Sequence, residues 1–134
     1  MRLSLATNGF DWEVHKKLCE AGLMGIHLPE QYGGGGGDAV MSEIVINEIA
    51  KGSASVALFL DADWLAADMI YVHGSEEQKN TYLPKFASGE YDGSMDLTEP
   101  DFGSDLQSVR LRAWQDEKTG QWYLNGMKRF ITNG

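Results

Sequence analysis

Apolar residues recur at helical spacing along the first two thirds of the chain, which predicts a succession of helices. Asp11 is suited to cap the N-terminus of a first helix, which is expected to stop at Gly22. Asp38 is suited to cap a second helix in the same way, and Gly52 is expected to end it. Two helices are therefore predicted to begin after an aspartate and to end at a glycine.

The third predicted helix, residues 53–73, carries apolar residues around most of its circumference. We therefore expect it to lie at the centre of a helical bundle. Gly74 is expected to end this helix, and Ser75 with Gln78 forms the signature of a capping box for a fourth helix. Pro84 is expected to break the fourth helix, because proline has no backbone N–H.

A long loop is predicted between the first two helices, at residues 22–37. It contains five consecutive glycines, residues 33–37, which disfavour both helix and strand. Apolar side chains lead into this run, and they indicate a loop that packs on the domain rather than a free linker. These side chains are Leu23, Met24, Ile26 and Leu28.

After about residue 91 the apolar spacing changes from the helical period to a period of two, which is typical of strands. The first strand is predicted at residues 109–113 and the second at residues 122–124, with a polar turn at residues 117–120 between them. Asn125-Gly126 predicts a further hairpin turn into a strand at residues 127–132. The predicted class is α+β, with a helical bundle followed by part of an antiparallel, barrel-like β domain.

Composition narrows the range of functions. The chain has 20 acidic and 11 basic residues and a formal net charge of −9, which argues against nucleic-acid binding. The single cysteine, Cys19, predicts a reducing, cytoplasmic location. Residues 1–8 are too short for a secretory signal, and no apolar run predicts a membrane span. The three histidines lack metal-ligand spacing, so no metal site is predicted.

Two segments have the composition of ligand-binding loops. Residues 97–105 combine proline, glycine and hydroxyl residues, and they offer backbone donors to an anionic or heteroaromatic ligand. In residues 125–134, Phe130 and Thr132 are two residues apart, which would put a ring and a hydroxyl on one strand face. Residues alone leave two plainer interpretations open: an ordinary turn for the first segment and an ordinary hairpin for the second.

In their order and spacing, these segments resemble the acyl-CoA dehydrogenase family. The resemblance rests on Thr98-Glu99-Pro100, on Gly103-Ser104-Asp105 and on the final stretch from Asn125-Gly126 to Gly134. It also includes the helix junction at residues 74–84, and it extends over about residues 14–134.

The resemblance implies an FAD-dependent enzyme that oxidises an acyl-CoA thioester to the 2,3-enoyl-CoA, with electron-transfer flavoprotein or a similar acceptor as partner. It implies a homo-oligomer for the full-length protein, and two domains here: an N-terminal helical domain, residues 1–91, and a partial middle β domain, residues 92–134. The catalytic base is expected beyond Gly134, so the chain alone is expected to be inactive. Glu99 is expected to shape its loop rather than to transfer a proton.

The resemblance also assigns site residues. Ser104 is implied to lie near the CoA portion of the substrate as well as near the cofactor. The residues implied on the FAD side are Met95, Leu97, Thr98, Gly103, Ser104, Phe130, Ile131 and Thr132. Counting back from Gly74, the residues implied to line the acyl pocket are Leu58, Asp61, Ala62 and Leu65, which share one helix face.

Two other functions stay open from the sequence. One is a flavin monooxygenase or a nitroalkane-type oxidase on the same fold. The other is a non-catalytic helical binding module, which would not retain a flavin.

Overall fold

The computed structural model describes residues 10–134, so residues 1–8, considered above as a signal segment, lie outside the described residues. Helices come first and strands follow, which confirms the predicted α+β class. The helices are α1 (Trp12–Glu20), α2 (Ala39–Gly52), α3 (Ala54–His73) and α4 (Glu76–Ser88). The strands are β1 (Arg112–Gln115) and β2 (Trp122–Asn125).

The predicted helix caps are present. The Asp11 carboxylate accepts hydrogen bonds from two backbone N–H groups in the first turn of α1. The Asp38 carboxylate accepts one from Met41 N at 2.9 Å at the start of α2. Ser75 and Gln78 exchange the two reciprocal hydrogen bonds of a capping box. These local bonds satisfy N–H groups that a helix start otherwise leaves unpaired.

The predicted break at Pro84 was wrong. Proline supplies no N–H here, yet α4 continues to Ser88. Leu83, Phe86 and Ala87 are buried on α4, which packs against α3. Tertiary burial of this face therefore keeps the last turn helical despite the lost hydrogen bond.

The helical part has two apolar cores, and α3 contributes buried residues to each of them. This confirms the predicted central position of α3. In the first core, Phe59, Leu60 and Trp64 of α3 pack with buried residues Leu18 and Met24. The second core joins α3 to α4 and to the short 3₁₀ turn Glu30–Tyr32. Its buried members are Leu28, Tyr32, Ala67, Leu83, Phe86 and Ala87.

The glycine-rich loop is packed on the domain, as predicted. Gly35, Gly36 and Gly37 donate backbone hydrogen bonds to carbonyls within residues 25–28, at 2.8–3.0 Å. The glycine run therefore lies as a ribbon along the preceding segment, where side chains would obstruct the backbone pairing.

The two strands form one antiparallel pair, with Ala113 opposite Leu124. The predicted turn between them is present: the Asp116 carboxylate accepts hydrogen bonds from Lys118 N and Thr119 N at 2.8 and 2.9 Å. β1 begins later than predicted, at Arg112, because the two preceding N–H groups bind a side chain rather than a strand.

The strand predicted at residues 127–132 was wrong, and so was the hairpin turn at Asn125-Gly126. β2 ends at Asn125, and the chain continues in irregular structure. Phe130 and Asn133 adopt left-handed backbone conformations, with φ of 59° and 65°, which a strand does not allow. Phe130 and Thr132 therefore do not share a strand face.

Within residues 10–134, no helix has the length and apolar character needed to cross a membrane.

Gly34 offers a test of the loop packing. A methyl group there would overlap the Leu28 carbonyl and lie 2.7 Å from Gly25 O. We expect Gly34→Ala to lower the free energy of unfolding by roughly 2 kcal/mol, because backbone atoms would have to move. Chemical denaturation measures the change.

The matched control is Gly52→Ala. A methyl at Gly52 meets no atom within 4 Å, and Gly52 ends a helix. We expect it to be neutral or stabilising by roughly 0.5 kcal/mol. Equal effects of the two substitutions would contradict the packed-ribbon description.

Candidate functional site

The Glu99 carboxylate joins three separate segments of the β part. It accepts hydrogen bonds from Arg110 N at 2.7 Å and from Leu111 N at 2.8 Å. Lys128 Nζ lies 3.1 Å from Glu99 Oε1 and also donates to Leu97 O at 2.9 Å. Glu99 is only 6% exposed, so these contacts replace its hydration almost completely.

These contacts also fix the charge of Glu99. The Arg110 N–H lowers the pKa of Glu99 most, followed by the Leu111 N–H and by Lys128, against an opposing effect of burial. An ionised carboxylate whose oxygens are already bound is a weak proton acceptor. The geometry therefore supports a loop-shaping role for Glu99.

The two segments that the sequence singled out lie side by side. Arg129 N donates to Thr98 O at 2.9 Å, and Lys128 spans the same gap with its side chain. Gly103 approaches Thr98 from within the loop, since a Cβ on Gly103 would lie 3.8 Å from Thr98 Cγ2. Tertiary structure thus brings residues 97–104 and residues 128–133 to one place.

The predicted cofactor residues in this region are mostly accessible. Phe130 is 80% exposed and Leu97 is 46% exposed. Gly103 and Ser104 are exposed, and their backbone N–H groups donate to no acceptor among residues 10–134. The half-buried members of the predicted set are Met95, Thr98, Ile131 and Thr132.

The predicted acyl-pocket residues lie on α3. Leu58, Asp61 and Leu65 are exposed, whereas Ala62 is buried. The exposed leucines leave an apolar strip open on a helix whose other sides are packed into both cores. Such a strip is available to an apolar ligand or to another protein segment.

Sequence reasoning missed Asp63, which connects α3 to the loop segments. Asp63 is fully buried, and its Oδ1 atom accepts from Gly93 N at 2.7 Å. Asn133 Nδ2 donates to the carbonyl of the same glycine at 2.8 Å. Residue type alone could not identify Asp63, because the same helix contains two further aspartates, Asp61 and Asp68.

A second polar contact ties α1 to the same stretch of chain. His15 Nε2 lies 2.9 Å from Asp92 Oδ1, next to Gly93. Within the part of the chain that the structure describes, no cluster of three or more His, Cys, Asp or Glu could hold a metal ion.

The fold and the site together define a two-domain class, in which a helical bundle precedes a β domain whose loops meet near the central helix. The family model described as "Acyl-CoA dehydrogenase, N-terminal domain" matches residues 2–90. The model described as "Acyl-CoA dehydrogenase, middle domain" matches residues 94–134. The chain belongs to the acyl-CoA dehydrogenase family.

Individual relatives agree with the family models. The chain is 45% identical, over 129 residues, to the acyl-CoA dehydrogenase of Bacillus subtilis (strain 168), covering 96% of this chain and 34% of the relative. The solved structure of a glutaryl-CoA dehydrogenase from Mycobacterium smegmatis in complex with FADH2 matches with a TM-score of 0.83. The identity is 37%, over 91% of this chain and 31% of that one.

A chain in the solved structure of the electron transferring flavoprotein of Acidaminococcus fermentans matches with a TM-score of 0.86. The identity is 38%, over 94% of this chain and 33% of that one. This chain therefore spans about a third of the length of the proteins that it matches.

Replacing Glu99 by glutamine tests the three-segment contact. Glu99→Gln keeps the shape but removes the charge, and an amide can offer only one acceptor oxygen. We expect the Arg110 and Leu111 amides to exchange with solvent roughly ten-fold faster, because each loses a charge-assisted bond. Hydrogen exchange followed by NMR measures both amides.

Asp101→Asn is the matched control, because Asp101 is exposed in the same loop and forms no hydrogen bond among the described residues. It should leave both exchange rates unchanged. Unchanged rates in Glu99→Gln as well would mean that Glu99 does not hold this region together.

Proposed function

We propose that this chain forms the N-terminal helical domain, residues 1–91, and the first part of the middle β domain, residues 92–134, of an FAD-dependent acyl-CoA dehydrogenase. The observation that carries the proposal is the meeting of residues 97–104 with residues 128–133. The domain division is supported by the two family models, because the first ends at residue 90 and the second begins at residue 94.

The accessible groups at this meeting point suit a flavin. Phe130 offers an exposed aromatic ring, and Thr98 and Thr132 offer hydroxyl groups to a heteroaromatic ligand. Free N–H groups at Gly103 and Ser104 suit a phosphate oxygen. We therefore assign the FAD side to the eight predicted residues: Met95, Leu97, Thr98, Gly103, Ser104, Phe130, Ile131 and Thr132.

The open strip of α3 suits the acyl chain. Leu58 and Leu65 present apolar surface, and Asp61 lies on the same face. Ala62 is buried, so its proposed place in the acyl pocket rests on the family resemblance alone. In this proposal the flavin supplies the hydride acceptor for oxidation of the thioester to the 2,3-enoyl-CoA. The chain itself binds and orients both partners, and Ser104 contacts the CoA portion.

The base for the α-proton is proposed to come from outside this chain. Glu99 is occupied by three donors, and its lowered pKa weakens it as a proton acceptor. Electron-transfer flavoprotein is proposed as the electron acceptor, supported by the match to a chain in the Acidaminococcus fermentans structure. Homo-oligomerisation and a cytoplasmic location stay predictions.

Anaerobic titration of the flavin-loaded protein that contains this chain tests the proposal. We expect an acyl-CoA thioester to remove the visible absorbance of the flavin and to yield a 2,3-enoyl-CoA, identified by mass spectrometry. A nitroalkane should leave the absorbance unchanged. Reduction by the nitroalkane alone would support an oxidase, and a protein that retains no flavin would support a binding module.

Thr132→Val tests the flavin side directly. The change removes a hydroxyl while keeping the size of the side chain, so we expect roughly ten-fold weaker FAD binding or a shifted flavin spectrum. Thr81→Val on α4 makes the same chemical change away from the site and should alter neither property. Identical affinity, spectrum and reduction rate in Thr132→Val and wild type would count against the assignment.

A further inference from the structure

Both backbone polar groups of Gly93 form hydrogen bonds with side chains from distant parts of the chain. Its N–H donates to Asp63 Oδ1 on α3 at 2.7 Å, and its carbonyl accepts from Asn133 Nδ2 at 2.8 Å. Gly93 has no room for a side chain, since a Cβ would lie 2.5 Å from Ala66 Cβ and 2.8 Å from Phe86 Cε1. One glycine thus connects the central helix to the end of the loop region.

The carboxyl group of Asp63 has no packing explanation. The residue is fully buried, and its Oδ2 atom has no hydrogen-bond partner among residues 10–134. Burying a polar group without a partner is unfavourable, and an apolar side chain of similar size would avoid that penalty. The hydrogen bond to Gly93 is therefore the one contact in the described structure that explains an acidic residue at this position.

The segment at the other end of this connection needs to be held. Phe130 and Asn133 both have left-handed backbone conformations, which non-glycine residues adopt at an energetic penalty when the surrounding structure enforces them. Arg129 N anchors one end of the segment to Thr98 O. The Asn133 side chain anchors the other end, so residues 130–132 lie between two fixed points.

We propose that Asp63 is a positioning residue for the flavin-side segment: through Gly93 it fixes Asn133, and so sets the position of Phe130–Ile131–Thr132 relative to α3. The flavin part of this statement rests on the proposed function. The anchoring part concerns only contacts within the chain, and it can be tested without a cofactor.

The charge state of Asp63 gives the anchor a pH dependence. Burial raises the pKa of Asp63 to about 7, against the opposing effect of the Gly93 N–H and with a further contribution from Asp92. On α1, the pKa of the Cys19 thiol is raised mainly by burial, with smaller contributions from Asp92 and Asp63. Asp92 itself pairs with His15 of α1 at 2.9 Å.

The sign follows from the direction of the shift. A carboxyl whose pKa is higher in the folded than in the unfolded state stabilises the fold fully below the unfolded pKa, and this contribution is lost as the pH rises towards about 7. Burial thus favours the neutral acid, which asparagine mimics, whereas the Gly93 hydrogen bond by itself favours the ionised carboxylate.

Three variants test the anchor in the full chain. Asp63→Leu removes the acceptor, Asp63→Asn keeps a neutral acceptor, and Asn133→Gly removes the donor while tolerating the left-handed backbone. We expect the Gly93 amide to exchange roughly ten-fold faster in Asp63→Leu and within about two-fold of wild type in Asp63→Asn. NMR hydrogen exchange measures this, and the Leu83 and Phe86 amides show whether the core is intact.

A pH titration separates loss of the anchor from a general loss of stability, because lower stability alone would not abolish a pH-dependent change at Gly93. In the wild type, the chemical shift of the Gly93 amide proton should change with pH, with a midpoint near 7. Asp63→Asn should abolish this change. If the midpoint persists in Asp63→Asn, Asp63 is not the group that produces it, and the anchor proposal is overturned.

The link to the flavin is tested separately, in the flavin-loaded protein. Asp63→Leu and Asn133→Gly should change the flavin spectrum in the same way, their double variant should add nothing further, and Asp63→Asn should restore the wild-type spectrum. The positioning role would be refuted if the exchange data confirm the anchor but the two variants change the flavin spectrum additively or in unrelated ways. If the wild-type protein binds no flavin, the proposed function is refuted. The hydrogen-exchange results would still test whether Asp63 anchors Gly93.

Discussion

The buried Glu99 carboxylate is the contact on which the β part of this chain depends. Every residue of β1 and β2 is exposed, so the strand pair has no apolar core of its own to position it. Trp114 and Tyr123 stack across the pair at 5.7 Å, but this contact is internal to the ribbon. The arrangement of the surrounding loops is set by directional, charge-assisted bonds to one side chain, whose strength depends on exclusion of water.

The helical part depends on a different physical effect. α3 contributes side chains to both apolar cores, so its axial rotation is fixed from two sides. That rotation decides which residues remain outside: the face with Leu58, Asp61 and Leu65 is open because the opposite faces are buried. The glycine ribbon contributes indirectly, since its backbone pairing holds Leu28 in the second core.

Among residues 10–134, polar groups connect the two parts, and no residue of the β part belongs to either apolar core. Asp63 and Asn133 hold the Gly93 peptide, and His15 pairs with Asp92 beside it. Hydrogen bonds of this kind specify relative position more narrowly than apolar packing, because they depend on both distance and direction. This gives the open face of α3 and the loop region a defined mutual geometry, which any ligand spanning both would require.

Local chemistry was readable from the sequence wherever the interaction partners are close along the chain. The caps at Asp11, Asp38 and Ser75 use partners within three residues, so residue type and spacing identify them. The turn predicted at residues 117–120 is equally local, although the role of Asp116 in it came from the structure. The central position of α3 followed from its all-round apolar character. The family resemblance came from short motifs in a fixed order, and the family models match the same regions.

Only the tertiary structure decided the features whose partners are distant. Pro84 stays helical because α4 is packed. Residues 127–132 leave the strand geometry at Phe130, whose φ is positive, and Asn133 beyond them bonds to the distant Gly93. Glu99 and Asp63 acquire their roles from N–H groups 11 and 30 residues away. The sequence by itself determined the four helix starts, the strand pair and the fold class, because periodicity and capping are local. Which backbone groups each carboxylate binds depended on the folded arrangement, because no local pattern encodes a partner that folding brings near.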